Sequence, residues 1–268
     1  MGGKIKIGAL VSGGGSNLQA IIDACESGKI EGEMVFVGAD NPSAGGLQRA
    51  ARQGIPTFAA EYAGIVENYQ NDPRRFRPPD DFNLEESLER QSLFGGGYDL
   101  QKIQAFLITR AAAESRLLHH MGAFPFDLLV LAGFMRKLSP YLIDRIDRDP
   151  ARPRIMNIHP ALLPAFPGTD GYGDTLRYGA KVGGCTVHFV DYGEDSGPII
   201  GQRAFAIDPD DTLETVKAKG LALEWELFPA CIQLFAQDRL IVEEETWPAP
   251  RGGIFKRRVV KIKRVQRG

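Results

Sequence analysis

The sequence predicts an α/β protein built on a mostly parallel, twisted sheet with helices on both faces. Apolar runs of strand length begin at Ile5 and at Met34, and residues 16–30 between them carry apolar side chains at helical spacing. A glycine-rich turn, residues 12–15, joins the first strand to that helix. This alternation of strand and helix is typical of parallel sheets.

Composition limits the classes of protein to consider. The chain has 268 residues, of which 43% are hydrophobic and 25% charged, as is usual for a globular protein. The net charge of -2 does not favour a nucleic acid or an anionic membrane as partner. The longest apolar run, near residues 126–134, is too short to span a bilayer. Three widely spaced cysteines and the lack of a signal-peptide pattern predict a cytoplasmic protein.

The remaining elements follow in order along the chain. Further strands are predicted at residues 34–40, 55–60, 126–135, 154–158, 183–190 and 197–207. Further helices are predicted at residues 47–55, 101–121, 138–146 and 211–237. We expect the last of these helices to be interrupted near Gly220, Ser16 or Asn17 to cap the first helix, and Ser139 to cap the helix that starts at Pro140.

Two segments do not fit this alternation of strands and helices. We interpret residues 1–245 as one catalytic-type domain with an insertion at about 61–104, because residues 75–97 are charged, rich in proline and closed by three glycines. The insertion could be a solvated loop, a lid or a subunit contact. Residues 246–268 form a basic extension whose alternating apolar and cationic residues predict an edge strand, with an RNA-binding arm as the alternative.

The turn after the first strand is a candidate anion site. Free backbone N–H groups converge at a helix N-terminus, and Ser16 and Asn17 add side-chain donors. The pattern is not a P-loop, and Leu18 occupies the third glycine position of the dinucleotide fingerprint. The alternative interpretation is a tight turn followed by a capped helix.

The loop after the strand at 126–135 is a candidate wall for a ligand. Phe134 and Met135 are apolar and are followed at once by Arg136 and Lys137, which would suit a flat ring with an anionic tail. The alternative is ordinary loop packing beside solvated charges.

The stretch RIMNIHPALLPAF is a candidate catalytic centre. Asn157 and His159 are two residues apart, so they share one face of a strand at its carboxyl end. An amide that donates a hydrogen bond and an imidazole that moves a proton are what an oxyanion site needs. The acidic turn DYGEDSGP could supply a carboxylate to His159, and Asp191, Glu194 and Asp195 all remain candidates for it.

Four stretches occur together and in order: GALVSGGGSNLQAIIDAC, LLVLAGFMRKLSP, NIHPALLPAF and GCTVHFVDYGEDSGPII. Together they resemble the folate-dependent formyltransferase family, and within it the enzymes of purine synthesis that formylate glycinamide ribonucleotide. The resemblance extends from about Ile5 to about Leu240, with a gap at the insertion. It implies a Rossmann-like formyltransferase fold.

The resemblance also implies a role for each matching residue. The catalytic residues would be Asn157, His159 and Asp195. The substrate would be held by Gly15, Ser16, Asn17 and Glu224. The formyl donor, 10-formyltetrahydrofolate, would be held by Arg110, Met135, Arg136 and Leu138. No metal is implied, and the partners would be small molecules, with the chain a monomer or a homodimer.

Three other functions remain open. The first is formyl transfer to a different amine, such as an amino sugar or a nucleotide. Residues 169–179 motivate it, because the family usually carries histidines and an arginine there, and this chain has Asp170, Tyr172 and Asp174. The second is hydrolysis of formyltetrahydrofolate, although such relatives usually carry a regulatory domain ahead of the catalytic one. The third is a non-catalytic binding module.

Overall fold

A computed structural model describes residues 3–250 and 252–264. The strands in this part of the chain are β1 (Ile5–Val11), β2 (Gly32–Ala39), β3 (Thr57–Ala59), β4 (Leu128–Leu131), β5 (Ile155–His159), β6 (Val182–Phe189), β7 (Ile199–Ala206), β8 (Leu240–Pro248) and β9 (Ile254–Ile262). The helices are α1 (Ser16–Glu26), α2 (Gly45–Arg52), α3 (Tyr62–Asn71), α4 (Leu84–Arg90), α5 (Leu100–Met121), α6 (Pro140–Ile146), α7 (Gly171–Arg177) and α8 (Leu213–Ala236).

Seven strands form one sheet in the order β3-β2-β1-β4-β5-β6-β7. The pairs from β3 to β5 are parallel, whereas β6 pairs antiparallel with β5 and β7 pairs antiparallel with β6. The expected mostly parallel sheet is therefore confirmed. The order reverses direction beside β1 and β4, so the loops after β1, β4 and β5 meet at one carboxyl edge, which is where α/β folds bind ligands.

Two apolar clusters cover the two faces of the sheet. One contains the inward side chains of α1 and α8, such as Leu18 and Phe228, against Ile7 and Val130. The other contains side chains of α3, α5 and α6, such as Leu117, against the opposite face. The predicted helices on both faces are present, and none of the helices in the described part is long and apolar enough to cross a membrane.

The predicted cap of α1 and the predicted break in α8 were both wrong. Gly15, in the left-handed region with φ of 74°, is the residue that precedes α1, and neither Ser16 nor Asn17 caps it. Helix α8 runs unbroken through Gly220. Glycine fits this position because it packs against the Tyr172 ring, and a Cβ there would come 2.1 Å from the ring. Close packing has offset the roughly 1 kcal/mol helix cost of glycine.

The predicted Ser139 does precede α6, with Pro140 as its first helical residue. Its hydroxyl, however, donates to the Glu114 carboxylate and does not cap the helix. The capping role was wrong because the Ser139 hydroxyl is oriented towards a buried carboxylate on α5, and its oxygen accepts no N–H of α6.

The insertion includes two short helices. It contains α3 and α4, and Tyr62 and Ile65 of α3 are buried against the sheet and α5. The predicted basic extension contributes β9, which pairs with β8 in a separate antiparallel ribbon. Strand β8 begins before the predicted boundary at residue 246, while residues 251 and 265–268 of the extension lie outside the described part.

Candidate active site

The centre of the site is a pair of side chains at the end of β5. Asn157 and His159 lie on one face of that strand, as predicted, and both line a cavity of about 350 Å³ at the carboxyl edge of the sheet. Strand β6 pairs with β5 so that His188 lies opposite Asn157. The acidic turn after β6 brings Asp195 to the same place.

His159 is held between two acceptors. Its Nε2 lies 2.8 Å from the Phe166 carbonyl oxygen, and its Nδ1 lies 3.2 Å from Asp195 Oδ2. The same Asp195 oxygen accepts from the Gly168 N–H at 2.8 Å. A neutral imidazole can donate to only one of these acceptors, whereas the charged ring satisfies both. The structure thus selects Asp195 from the three carboxylates that the sequence left open as the partner of His159.

Burial and charge act in opposite directions on this pair. Burial lowers the pKa of His159 below its ordinary value, although the Asp195 carboxylate and the Phe166 carbonyl oppose that shift. Burial raises the pKa of Asp195, but the contacts with His188 and His159 outweigh it, and the net direction is down. Asp195 is therefore the charged member of the pair, and it provides the attraction that favours a proton on His159.

Asn157 is oriented by a residue that the sequence did not single out as functional. His188 Nδ1 lies 2.8 Å from the Phe189 carbonyl oxygen, which requires the proton on Nδ1. Its Nε2 can then accept from Asn157 Nδ2, 3.2 Å away. This bond uses one N–H of the amide, so the other can donate to a ligand in the cavity. The alternation of side chains along β6 predicted which face of the strand His188 lies on. Only the register of β6 with β5 shows that Asn157 is its partner.

The far end of the cavity contains a buried carboxylate network. Asn17 Nδ2 donates to Glu224 Oε2 at 2.6 Å, and the Tyr172 hydroxyl donates to Oε1 at 2.6 Å. Glu224 is only 4% exposed, and burial raises its pKa despite these two donors. The Oδ1 atom of Asn17 is buried with no partner in the described part, so an acceptor is left for a ligand. The sequence marked Tyr172 only as a departure from the family pattern, because its hydrogen bond is a long-range contact.

The glycine turn is adjacent to this network. A Cβ on Gly15 would come 2.7 Å from Gly46, so the turn and α2 approach closely. Arg49 of α2 donates from Nε to the Gly14 carbonyl at 2.6 Å, which adds a positive charge beside the turn that the sequence did not indicate. Asn17 lines the main cavity, whereas Gly15 and Ser16 lie beside it and not in its wall.

The loop after β4 forms the opposite wall. Met135 is 54% exposed, Leu138 is buried, and both line the cavity with Arg136. Arg136 pairs with the buried Asp40 at 2.5 Å. Arg110 is not in this wall; it lines an adjoining pocket of about 310 Å³ that shares Arg136.

Arg110 is placed among aromatic rings and has an unused donor. Its guanidinium lies 4.9 Å from the centre of the Tyr62 ring and 4.7 Å from that of Phe106. Its Nε is buried and has no partner in the described part of the chain. A buried, unpaired guanidinium N–H is costly, so this atom is suited to an anionic ligand group.

Glu114 fixes the end of the loop after β4. It accepts from the Ser139 N–H at 2.8 Å and from the Ser139 hydroxyl. Burial raises the pKa of Glu114 from 4.5 to about 7. Its contribution to stability is thus present below about pH 4.5 and is lost as pH rises through about 7. Glu114→Gln removes the charge; its oxygen can still accept from the Ser139 N–H, and its NH2 group can donate to the Ser139 hydroxyl oxygen. We expect it to gain stability relative to wild type, on the order of 3 kcal/mol, as pH rises across that window.

Urea unfolding from about pH 5 to about pH 8 measures this difference. Glu89→Gln, at an exposed position on α4, is the control and should show no such trend. A stability difference between Glu114→Gln and wild type that stays constant with pH would contradict the assignment.

Together these features place the chain among α/β proteins with a polar cavity at a switch point of the sheet. A family model described as formyl transferase matches residues 5–232. The chain therefore belongs to the formyl transferase family.

Named relatives agree with this assignment. The chain is 32% identical to a phosphoribosylglycinamide formyltransferase of Bacillus subtilis over 85% of this chain and 93% of the relative. It is 32% identical to the protein of that name from Escherichia coli, over 90% and 91% of the two chains. The solved structure of glycinamide ribonucleotide transformylase 1 from Symbiobacterium toebii is 34% identical, covers 98% of this chain and 95% of its own, and superposes with a TM-score of 0.71.

Among the residues that the structure describes, no three His, Cys, Asp or Glu side chains are grouped so that they could hold a metal ion. The polar side chains that line the cavity are hydrogen-bond donors, two imidazoles and carboxylates. This set can stabilise an anion and move a proton.

Proposed function

We propose that this protein transfers the formyl group of 10-formyltetrahydrofolate to the amine of glycinamide ribonucleotide. The observation that carries the proposal is the meeting of Asn157, His159 and Asp195 in one cavity, between an apolar wall and a buried carboxylate network. The names of the relatives support the identity of both substrates.

The donor wall fits a reduced folate. Met135 and Leu138 present apolar surface to a flat ring, and the unused donor of Arg110 suits the carboxylates of a folate tail. Arg136 lies where the two pockets join. We assign these four residues to the donor, which would supply the formyl group.

The other end of the cavity fits the acceptor. Backbone N–H groups at the start of α1, with Gly15, Ser16 and the nearby Arg49, would hold its phosphate. Asn17 and Glu224 would hold its polar groups, since a buried carboxylate whose oxygens accept hydrogen bonds favours a ligand that donates them. These contacts support small molecules as the binding partners of this protein.

The mechanism that we propose is direct attack of the amine on the formyl carbon. The second N–H of Asn157 would donate to the oxygen on which negative charge develops. A charged His159 would stabilise the same oxygen. Asp195 would hold His159 charged and, directly or through water, would pass the proton that the amine loses to the leaving nitrogen of the donor. The bond between that nitrogen and the formyl carbon would then break, and tetrahydrofolate would leave.

The direct test measures tetrahydrofolate release from 10-formyltetrahydrofolate with and without glycinamide ribonucleotide. We expect release only with the ribonucleotide. Equal release without it would show a hydrolase, and release only with another amine, such as an amino sugar, would show a different transferase. A chain that binds tetrahydrofolate without any turnover would be a binding module.

Tyr172 is expected to influence the acceptor end alone. Tyr172→Phe removes the hydroxyl that donates to Glu224 and leaves the ring packed on Gly220. We expect the KM for glycinamide ribonucleotide to rise about 10-fold and the KM for the donor to stay within about twofold. Tyr178→Phe is the matched control, because Tyr178 is 81% exposed. Equal KM values for both tyrosine variants and wild type would contradict this role.

Cytoplasmic location and a monomeric or dimeric state stay predictions. Cys25, Cys185 and Cys231 are all unpaired, which fits a reducing compartment. Size-exclusion chromatography would measure the oligomeric state.

A further inference from the structure

The insertion contacts the turn that carries Asp195. Ser92 N–H donates to the Tyr192 carbonyl oxygen at 2.8 Å, and Ser92 pairs with Gly193 in an isolated parallel bridge. A Cβ on Gly193 would come 3.0 Å from Ser92 Oγ and 2.2 Å from Ser196 Oγ, so this close approach depends on glycine. The insertion thus supplies a main-chain support for the acidic turn.

A second contact joins the insertion to the wall after β4. The Lys137 amino group lies 5.8 Å from the centre of the Phe94 ring and forms a 2.7 Å ion pair with Glu194. Phe94 packs on Phe106, which in turn faces Arg110. One continuous set of contacts therefore connects the insertion, the donor wall and the acidic turn.

A third contact fixes the base of the turn. Arg90, the last residue of α4, pairs with Asp144 of α6 at 3.0 Å, and the Tyr192 hydroxyl donates to the same carboxylate. Ser92 and Leu93 follow after one intervening residue, Gln91. Contacts of Arg90 on one side and of Phe94 on the other therefore flank these two residues.

Leu93 lies where these contacts meet. Of the described residues that line the main cavity, it alone comes from the insertion. Its neighbours Ser92 and Phe94 contact Tyr192 and Lys137, so Leu93 lies beside the wall that follows β4.

We infer that the insertion forms one wall of the formyl-donor pocket, with Leu93 as a residue that determines specificity and Ser92 as a positioning residue for the acidic turn. The inference rests on the proposed function. A fixed wall is a role that the sequence did not indicate, since it left open a solvated loop, a lid or a subunit contact. An apolar side chain there favours a flat ring system over a hydrated ligand.

The first experiment compares Leu93→Ala with Leu100→Ala, a matched change at an exposed position of the insertion (57% exposed). Binding of tetrahydrofolate is measured by calorimetry, and the two KM values by turnover. We expect Leu93→Ala to weaken tetrahydrofolate binding and raise the donor KM about 5- to 10-fold, with the acceptor KM within about twofold. Leu100→Ala should resemble wild type.

Each outcome separates the inference from the proposed function. If wild type neither binds tetrahydrofolate nor uses the donor, the proposed function fails. If wild type does both and Leu93→Ala equals it, the inference alone is overturned. An equal rise in both KM values for Leu93→Ala also overturns it, because the effect would not be confined to the donor.

The second experiment tests the support of the turn by its N–H group. Gln91 is extended, with φ of -67° and ψ of 139°, so a proline can follow it. Ser92→Pro removes the donor to Tyr192, whereas Ser92→Ala keeps it. We expect kcat to fall about 10-fold in the proline variant and to stay near wild type in the alanine variant. Equal kcat values would overturn the positioning role, and if thermal unfolding shows that the proline variant has lost its fold, the Leu93 variants decide.

Discussion

Replacing Asn157 by alanine is expected to lower kcat by about 10²–10³-fold while the protein stays folded. The reason is that the amide donates to His188 with one N–H and can offer the other to developing negative charge. The fold should survive because Asn157 is only partly buried and its backbone remains paired in β5. Losing one side-chain hydrogen bond costs about 1 kcal/mol of stability.

Two variants sharpen this test. Asn157→Asp keeps the size of the side chain but replaces the donor by an acceptor, so it should be as slow as the alanine variant. Asn68→Ala, at an exposed position on α3, should turn over like wild type. Turnover of Asn157→Ala near the wild-type rate, with normal thermal unfolding, would contradict the oxyanion role.

Replacing Asp195 by asparagine is expected to lower kcat by about 10²-fold or more at neutral pH. Asparagine tolerates the left-handed backbone at this position, where φ is 50°, and its oxygen can still accept from Gly168 N–H. The variant therefore removes the charge and retains the shape.

Asp195→Asn should also shift the pH dependence of activity. Asp195 raises the pKa of His159 against the effect of burial, so the variant should lower that pKa further. If charged His159 is the active form, activity falls as pH rises through its pKa. The decline should then occur at lower pH in Asp195→Asn than in wild type.

The control comes from the same turn. Asp191→Asn removes an equal charge, but Asp191 accepts from Gly193 N–H and the Ser196 hydroxyl within the turn. We expect its kcat to stay within about fivefold of wild type. A profile for Asp195→Asn that matches wild type, or an equal loss in both variants, would contradict the specific pairing of Asp195 with His159.

The strands of the seven-stranded sheet were largely predictable because each carries a local signal, whereas their order in the sheet was not predicted. The buried run of β4 and the polar residues at the end of β5 could be recognised from the apolar pattern and its alternation. Their convergence at one edge follows from parallel pairing, so the sequence alone could assign Asn157 and His159 to a site. The choice of Asp195 rested on resemblance, since Asp191 and Glu194 have the same local chemistry.

The missed features depend on contacts between distant segments. The bond from Asn157 to His188 requires the register of β5 with β6, which the local pattern does not encode. The contact of Tyr172 with Gly220 joins α7 to α8, and it explains both an unusual tyrosine and an unbroken helix. The contact of Ser92 with Tyr192 likewise spans about a hundred residues of chain, as the hydrogen bond between them shows.

The most direct test of the central claim is to follow the formyl carbon. The protein is mixed with glycinamide ribonucleotide and with 10-formyltetrahydrofolate labelled with carbon-13 in the formyl group, and the products are read by NMR and mass spectrometry. The account predicts label in the formylated ribonucleotide, in equal amount to the tetrahydrofolate released, and little label with Asn157→Ala. Label recovered as free formate, at a rate that does not depend on the ribonucleotide, would contradict it.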